Sequence, residues 1–157
     1  MPQTIQNVVI AGGGTAGWMT AALLRRVLSP TIRIELVESE QIGIVGVGEA
    51  TIPPIQTFNQ FLGIDEKAFL RETHATIKLA IKFENWKTQG DSYYHTFGAP
   101  GTTMGFCSFH HYWLKDKQAG LAQSLWDFDL NYLSCQQGKF NKINTPNPLY
   151  EMQYAYH

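Results

Sequence analysis

The chain has 157 residues, of which 44% are hydrophobic and 16% are charged, and its formal net charge is −1. This composition is typical of a globular domain with a sizeable core, and a charge near zero argues against nucleic acid or an anionic membrane surface as a partner. No apolar run is long enough to span a bilayer and the N-terminus lacks the pattern of a secretory leader, so we expect a cytoplasmic protein.

The first elements in chain order are a predicted strand, a glycine turn and a helix. Val8–Ala11 is a short, β-branched apolar run, which is typical of a strand buried on both faces. Gly12, Gly14 and Gly17 follow in the G-x-G-x-x-G spacing, and a helical segment continues to Leu28. In this context the first glycine permits a tight turn, the second lets a pyrophosphate approach the backbone, and the third lets helix and strand pack closely.

A second predicted strand supports a nucleotide site. Ile32–Val37 ends in Glu38, which lies about twenty residues beyond the last glycine, where a carboxylate can accept hydrogen bonds from ribose hydroxyls. No arginine directly follows Glu38, which argues against a 2′-phosphate. An adenine dinucleotide site is the favoured interpretation, and the alternative is a glycine-rich turn in an α/β domain without a ligand.

The next stretch is a glycine-rich segment that we call the strap. Residues 42–51 hold three glycines among apolar residues, a composition that disfavours a helix and weakens a strand, so we predict an extended conformation. Glu49 is the single charge in this segment, which suggests a functional role, although a partner for the next helix dipole is the alternative. A helix is predicted from Thr51–Pro54 to Gly63, and a shorter one from Asp65 to Leu70.

Thr76–Trp86 changes to a period of two, which predicts a strand. One face would carry Ile77, Leu79, Ile81 and Phe83, and the other Lys78, Ala80, Lys82 and Glu84. The second face is typical of a solvated surface, so the pattern by itself gives Lys78 no special role. A loop at Thr88–Asp91 leads to a predicted aromatic strand, Tyr93–Phe97.

The signals beyond Gly98 are weaker. We predict a loop at Ala99–Gly105, helices at His111–Gln118 and Ser124–Leu133, and a polar, turn-rich segment at Gln136–Pro148. The chain ends without a recognisable terminal element.

The cysteines and histidines give no metal pattern. Cys107 and Cys135 are too far apart for a C-x-x-C motif, so free thiols are expected. The adjacent side chains of His110 and His111 would point in different directions on a helix or a strand, so no metal site is predicted.

Six motifs follow one another along the chain, namely GGGTAGWM (Gly12–Met19), GVGEATIP (Gly46–Pro53), FLGI (Phe61–Ile64), IKLAIKFENW (Ile77–Trp86), YHTFG (Tyr94–Gly98) and HYWL (His111–Leu114). Together and in this order they resemble the N-terminal part of flavin-dependent tryptophan halogenases. The match departs at Ile77, where the family usually has phenylalanine. The resemblance implies an α/β, Rossmann-like FAD-binding fold with a glycine-rich strap and additional β-strands, incomplete at the C-terminus. Residues 1–157 would then be the N-terminal part of a single FAD-binding halogenase domain.

The resemblance also implies a chemistry. A separate flavin reductase would supply reduced FAD (FADH2), which with O2 and chloride or bromide gives hypohalous acid. A lysine would hold that species as a haloamine or by a hydrogen bond and deliver the halogen to an electron-rich arene such as tryptophan or another indole. Lys78 aligns with this lysine, and His95 and Phe97 align with aromatic residues that flank the indole ring. A homodimer is a possible assembly of the protein.

The residues that the resemblance assigns to FAD belong to the glycine turn, the end of the second strand and the strap. They are Gly12, Gly13, Gly14, Thr15, Ala16, Gly17, Glu38, Gly48, Glu49 and Ala50. The family's W-x-W-x-I-P motif and its later catalytic glutamate are not in this sequence, so we expect an N-terminal portion that could be too short for turnover.

Two other classes of protein remain open at this point. A flavin monooxygenase or an NAD-linked oxidoreductase would use the same glycine motif but needs neither the strap nor the lysine. A non-catalytic FAD-binding remnant would retain the nucleotide site without turnover.

Overall fold

A computed structural model describes residues 5–43, 46, 49–142, 147 and 150–157 of the chain. Contacts divide the chain into two compact units. Unit 1 comprises residues 1–49 and 58–65, and unit 2 comprises residues 50–57 and 66–157. Among the described residues, none of the helices has both the length and the apolar character that a bilayer crossing requires.

Unit 1 contains the predicted strand–turn–helix–strand order. Strand β1 (Asn7–Ala11) pairs in parallel with β2 (Arg33–Val37), and helix α1 (Thr15–Val27) connects them. The prediction that β1 is buried on both faces is wrong, since Val9 is 61% exposed. The reason is that α1 packs on this pair of strands, while the other face has no comparable cover among the described residues.

The two helices that follow the strap confirm their sequence predictions. Helix α2 (Pro54–Leu62) begins with a proline, which a first helical turn tolerates, and Gly63 beyond its end has φ of 76°. Helix α3 (Glu66–Thr73) extends past the predicted Leu70.

The long strand predicted at Thr76–Trp86 is two strands with different partners. Strand β3 (Ile77–Lys78) pairs with a C-terminal strand, Ala155–Tyr156, and β4 (Ala80–Glu84) pairs with β5 (Ser92–Thr96), both in antiparallel fashion. The change of partner occurs at Leu79, whose carbonyl accepts the N–H of Phe97 at 3.0 Å. Phe97 therefore lies just outside the strand in which it was predicted.

Unit 2 then continues with helices. Helix α4 (Phe109–Gln118) begins two positions before the predicted start at His111. The single helix predicted at Ser124–Leu133 is wrong, because a short 3₁₀ turn (Leu125–Phe128) and helix α5 (Leu130–Gln137) occupy this region.

Asp129 explains the break between these two elements. Its backbone is extended, with φ −113° and ψ 111°, and its carboxylate accepts the N–H of Tyr132 at 2.9 Å as the N-cap of α5. An aspartate that bonds to the backbone in this way starts a new helix instead of continuing the previous one. At the other end of α5, Gly138 adopts a left-handed conformation, and part of the polar segment predicted beyond it lies outside the described residues.

The C-terminal strand, β6 (Ala155–Tyr156), has no counterpart in the sequence predictions, yet it forms much of the core of unit 2. Tyr154, Ala155 and Tyr156 are all buried, and Leu79 packs with the two tyrosines. The tyrosine rings meet edge to face, with 6.0 Å between their centroids. Burial of these rings holds β6 beside β3, the strand that carries Lys78.

Candidate functional site

The backbone of the glycine turn in unit 1 requires glycine at two of its three motif positions. Gly12 has φ of 121°, a conformation that side chains rarely allow, and its N–H donates to the carbonyl of Val37 at 2.8 Å. A Cβ added to Gly17 would lie 1.9 Å from the carbonyl oxygen of Gly12. These two glycines therefore make the tight turn and the close approach of α1 to β1, as the motif predicts.

The remaining motif glycine, Gly14, faces open space. A Cβ added there would meet no atom within 4 Å, so no packing within the described chain demands a glycine. Gly14 is also the N-cap of α1, where no side chain accepts a hydrogen bond from the first turn and no acidic residue lies in that turn. The helix N-terminus thus offers free N–H groups and a positive dipole end to an anion, and the bare Gly14 leaves room for it.

The residues around this turn enclose a cavity of about 480 Å³. Its lining includes six of the residues assigned to FAD, namely Gly12, Gly13, Gly14, Thr15, Glu38 and Glu49. Glu38 lies close to the turn, since a Cβ on Gly13 would come within 1.8 Å of its Oε2 atom. A carboxylate beside an open helix N-terminus suits a nucleotide, with ribose hydroxyls at the carboxylate and phosphate at the helix.

The other residues assigned to FAD do not line this cavity. Ala16 and Gly17 lie within α1, and Ala50 lines a separate cavity in unit 2. Gly48 lies outside the described residues, as does part of the strap. Six of the ten residues assigned to FAD thus line a single cavity beside the N-terminus of α1.

Lys78 in unit 2 occupies a setting unlike that of the other lysine on its predicted face. It lies in β3, is partly buried, and its Nζ donates to the carbonyl of Thr51 at 3.2 Å. The same Nζ lies 5.4 Å from the centroid of the Phe97 ring, within the range of a cation–π contact. Lys82, by contrast, forms an exposed ion pair with Glu84, as predicted for a solvated face.

Of the two residues expected to flank an arene, the structure brings one to Lys78. Phe97 is half-buried next to the amine. His95 is exposed in β5 opposite Ile81. Lys78 and Phe97 together therefore form the described part of the candidate reaction site.

Lys78 also lines a cavity of about 720 Å³ in unit 2. Its lining includes Ala50, Lys82, Tyr94, Cys135 and Phe140. Burial, and to a smaller extent the carboxylate of Asp129, raise the pKa of the Cys135 thiol, which favours the neutral form. Cys135 and Cys107 are both unpaired thiols, as the sequence predicts.

Sequence reasoning missed Thr51 as a partner of Lys78. The motif GVGEATIP drew attention to Glu49, but the contact is made by the backbone carbonyl of Thr51, which any residue type could supply. No sequence signal identifies that carbonyl.

The histidine pair differs from its prediction. The rings of His110 and His111 do not diverge, because their centroids lie only 3.8 Å apart at the start of α4. Rotation about the side-chain bonds brings together two rings whose Cα–Cβ directions differ. Among the described residues, no group of three or more histidines, cysteines, aspartates or glutamates is arranged to hold a metal ion.

Comparison with known proteins identifies the family. The family model described as tryptophan halogenase matches residues 7–157. The structure of Xcc4156, a flavin-dependent halogenase from Xanthomonas campestris, is 46% identical with a TM-score of 0.84, over 99% of this chain and 31% of that protein. The structure of BrvH, a flavin-dependent halogenase from Brevundimonas sp. BAL3, is 41% identical with a TM-score of 0.81, over 98% of this chain and 30% of that protein.

A curated relative gives the same result. Tryptophan 6-halogenase ThaL from Streptomyces albogriseolus is 39% identical over 143 residues, which are 81% of this chain and 27% of the relative. The chain thus spans less than a third of the length of these relatives. The structural matches confirm the predicted α/β, Rossmann-like fold class. The chain belongs to the tryptophan halogenase family.

Proposed function

We propose that the full protein is a flavin-dependent halogenase that acts on an electron-rich arene such as tryptophan or another indole. Within it, residues 1–157 would be the N-terminal part of a single FAD-binding domain. The proposal is supported by the family match and by the two cavities, one beside an open helix N-terminus and one beside a partly buried lysine.

The glycine turn would hold FAD in this proposal. The free N–H groups at the start of α1 would bind the pyrophosphate, and Glu38 would accept hydrogen bonds from the ribose. Gly48, Glu49 and Ala50 of the strap are the further residues that the family resemblance assigns to FAD. Bound FAD, reduced by a separate flavin reductase, would supply hypohalous acid from O2 and chloride or bromide.

Lys78 would receive the hypohalous acid. Its neutral amine can form a haloamine with release of water (R–NH₂ + HOX → R–NHX + H₂O), and transfer to the arene restores the amine (R–NHX + Ar–H → R–NH₂ + Ar–X). Alternatively, the ammonium can donate a hydrogen bond to the intact acid and polarise its O–X bond. A compact amine on a flexible stem suits either role.

Phe97 would provide the apolar face against which the arene lies. Aromatic rings stack or meet edge to face, so a flat indole beside Phe97 would be held near the Lys78 amine. His95 would flank the indole from its position in β5. The observation that carries the assignment is the setting of Lys78, which donates to Thr51 and lies over Phe97, whereas Lys82 is paired with Glu84.

Product mass tests this function directly. The full protein would be incubated with FAD, a flavin reductase, NADH, oxygen, bromide and an indole substrate. A halogenase gives a product with the two-isotope signature of bromine, and omission of bromide removes it. A product that gains oxygen and no bromine would instead identify a monooxygenase, and retained flavin without any product would identify a non-catalytic FAD-binding protein.

A further inference from the structure

The contact between Lys78 and the strap extends into a larger hydrogen-bonded arrangement around Thr51. The N–H and the Oγ1 of Thr51 both donate to the carbonyl of Tyr156, each at 2.9 Å. The same Oγ1 accepts the N–H of Tyr156 at 2.8 Å. Both the donor and an acceptor site of the hydroxyl are therefore used, and they fix Thr51 against β6.

The register of the sheet explains why this contact is geometrically available. On the β3 side, β6 is bonded through His157, whose N–H and carbonyl pair with Thr76 at 3.0 and 2.8 Å. In an antiparallel ladder the next residue along points its backbone groups to the opposite edge, and Tyr156 meets Thr51 there. Thr51 and β3 thus lie on opposite edges of β6.

Lys78 must cross β6 to reach Thr51. Its partner in the ladder is Ala155, and directly opposite residues place their side chains on the same face. Ala155 is fully buried and has only a methyl group, so the stem of Lys78 can extend above it to the Thr51 carbonyl. A larger side chain at residue 155 would occupy that path.

We propose that Thr51 is a positioning residue for the Lys78 amine, an inference that rests on the proposed function. The hydroxyl of Thr51 locks its backbone to Tyr156, and the carbonyl so oriented accepts one N–H of Lys78 beside the Phe97 ring. A neutral amine that donates one N–H to a carbonyl keeps its lone pair free to attack halogen. The strap thereby ends in a fixed hydrogen-bond acceptor, the Thr51 carbonyl, which sets the position of the Lys78 Nζ atom.

Competitive labelling of lysines tests the proposal without any need for turnover. The protein is treated with trace acetic anhydride, and the ratio of acetylation at Lys78 to that at Lys82 is measured by mass spectrometry. Thr51→Val keeps the side-chain shape but removes the hydroxyl, so the Thr51 carbonyl should hold the amine less often in its partly buried position and leave it more often within reach of the reagent in solvent. We expect the ratio to rise about threefold to tenfold, the range that follows from loss of one hydrogen bond. Thr51→Ser keeps the hydroxyl and should retain the unmutated ratio.

Thr76→Val is the matched control. Thr76 also donates its hydroxyl to a carbonyl at the end of the chain, that of His157 at 3.3 Å, but it has no bond to Lys78. The ratio in this variant should stay within about twofold of the unmutated value, since the hydrogen bond that it removes does not involve the amine. An unchanged ratio in Thr51→Val, or an equal rise in Thr76→Val, would overturn the proposal.

A second measurement does not depend on the folding of Thr51→Val. The carbonyl ¹³C resonance of Thr51 should move upfield in Lys78→Met, which removes its donor, and should not move in Lys82→Met. A resonance that stays in place in Lys78→Met contradicts the proposal.

These readouts separate the inference from the proposed function. If the labelling ratio and the resonance change as expected while Lys78→Ala still halogenates, Thr51 positions the amine but Lys78 is not the halogen carrier. If Lys78→Ala loses halogenation and neither readout changes, the lysine acts without Thr51 and the inference fails.

Discussion

Replacement of Glu66 should destabilise unit 2 in a pH-dependent manner. The Glu66 carboxylate at the start of α3 accepts hydrogen bonds from Tyr154 at 2.5 Å, from Tyr156 at 2.9 Å and from Lys142 at 2.6 Å. Both tyrosines are almost fully buried in the core beside β3. Glu66→Gln keeps the shape of the side chain but removes its charge.

The magnitude follows from the three bonds. A hydrogen bond to a charged group contributes about 1.5–3 kcal/mol and a neutral one about 0.5–1.5 kcal/mol, so each tyrosine bond should lose about 1 kcal/mol. The lysine is mostly exposed and its ion pair adds little. The total of about 2 kcal/mol corresponds to a decrease in Tm of roughly 4–8 °C for a chain of this length.

The sign of the pH dependence is fixed by the pKa of Glu66. Burial tends to raise this pKa, but the hydrogen bonds from Lys142, Tyr154 and Tyr156 lower it below its ordinary value of 4.5 in the folded state. A carboxylate with a lowered folded-state pKa contributes stability that is complete above its unfolded-state pKa and is lost as pH falls through the folded-state value. The stability difference between the unmutated protein and Glu66→Gln should therefore be full near neutral pH and shrink below 4.5.

Urea unfolding from neutral to acidic pH measures this difference. Glu84→Gln is the matched control, because Glu84 also pairs with a lysine but is fully exposed, and it should unfold nearly as the unmutated protein does. The reasoning would be refuted if Glu66→Gln were as stable as Glu84→Gln, or if the stability difference grew on acidification.

Three further predictions concern the glycine turn and the strap. Gly14→Val should lower the unfolding temperature only slightly, because the added Cβ meets no atom and the cost is that of a poorer N-cap. Its side chain should keep a phosphate from the N–H groups at the start of α1, so FAD binding should weaken about 10-fold to 100-fold, the range for one hydrogen bond to a charged group, as fluorescence titration would show. Gly17→Ala should lower the unfolding temperature much more, even without FAD, since its Cβ would lie 1.9 Å from the Gly12 carbonyl oxygen. Equal unfolding temperatures of Gly14→Val and Gly17→Ala would contradict the different roles given to these two glycines. In the strap, amide hydrogen exchange at Glu49 and Ala50 should slow when FAD binds, whereas the Thr51 amide, bonded to Tyr156, should be slow in both states. Equal exchange at Glu49 and Ala50 with and without FAD would exclude coupling of the strap to the flavin.

The glycine turn could be predicted from sequence because its physics is local. The three glycines, the helix and the strand that ends in Glu38 lie within a short stretch, and each has a steric or electrostatic role that spacing reveals. The structure adds that Gly12 and Gly17 are required by the backbone, while Gly14 leaves open space.

The surroundings of Lys78 could not be predicted from the pattern of its strand. The alternation along residues 76–86 places Lys78 and Lys82 on the same predicted strand face. Only the family resemblance distinguished Lys78 from Lys82. The difference arises from β6, which has just two residues, and from a contact between Thr51 and Tyr156 across 105 positions of the chain. Such a long-range pairing leaves no periodic signal in either segment.

The sequence carries two conflicting signals at the helix break at Asp129, one for a single helix and one for a new helix start. Apolar residues continue through Ser124–Leu133, which favours one helix, although an aspartate before Leu130 is a typical N-cap. The structure shows that the cap prevails, because the buried Asp129 carboxylate also accepts the hydroxyl of Thr96 at 2.6 Å and would lose both bonds in a continuous helix.

Halogenation by Lys78→Ala and Lys82→Ala tests the central claim most directly. In the full protein with reduced FAD, oxygen and bromide, Lys78→Ala should bind FAD normally and yet give no brominated arene, because in the proposed mechanism the lysine acts after hypohalous acid is formed. Lys82→Ala, on the same predicted face but paired with Glu84 at the surface, should brominate at nearly the unmutated rate. Bromination by Lys78→Ala at a rate near that of the unmutated protein would contradict the assignment of Lys78 as the halogen carrier.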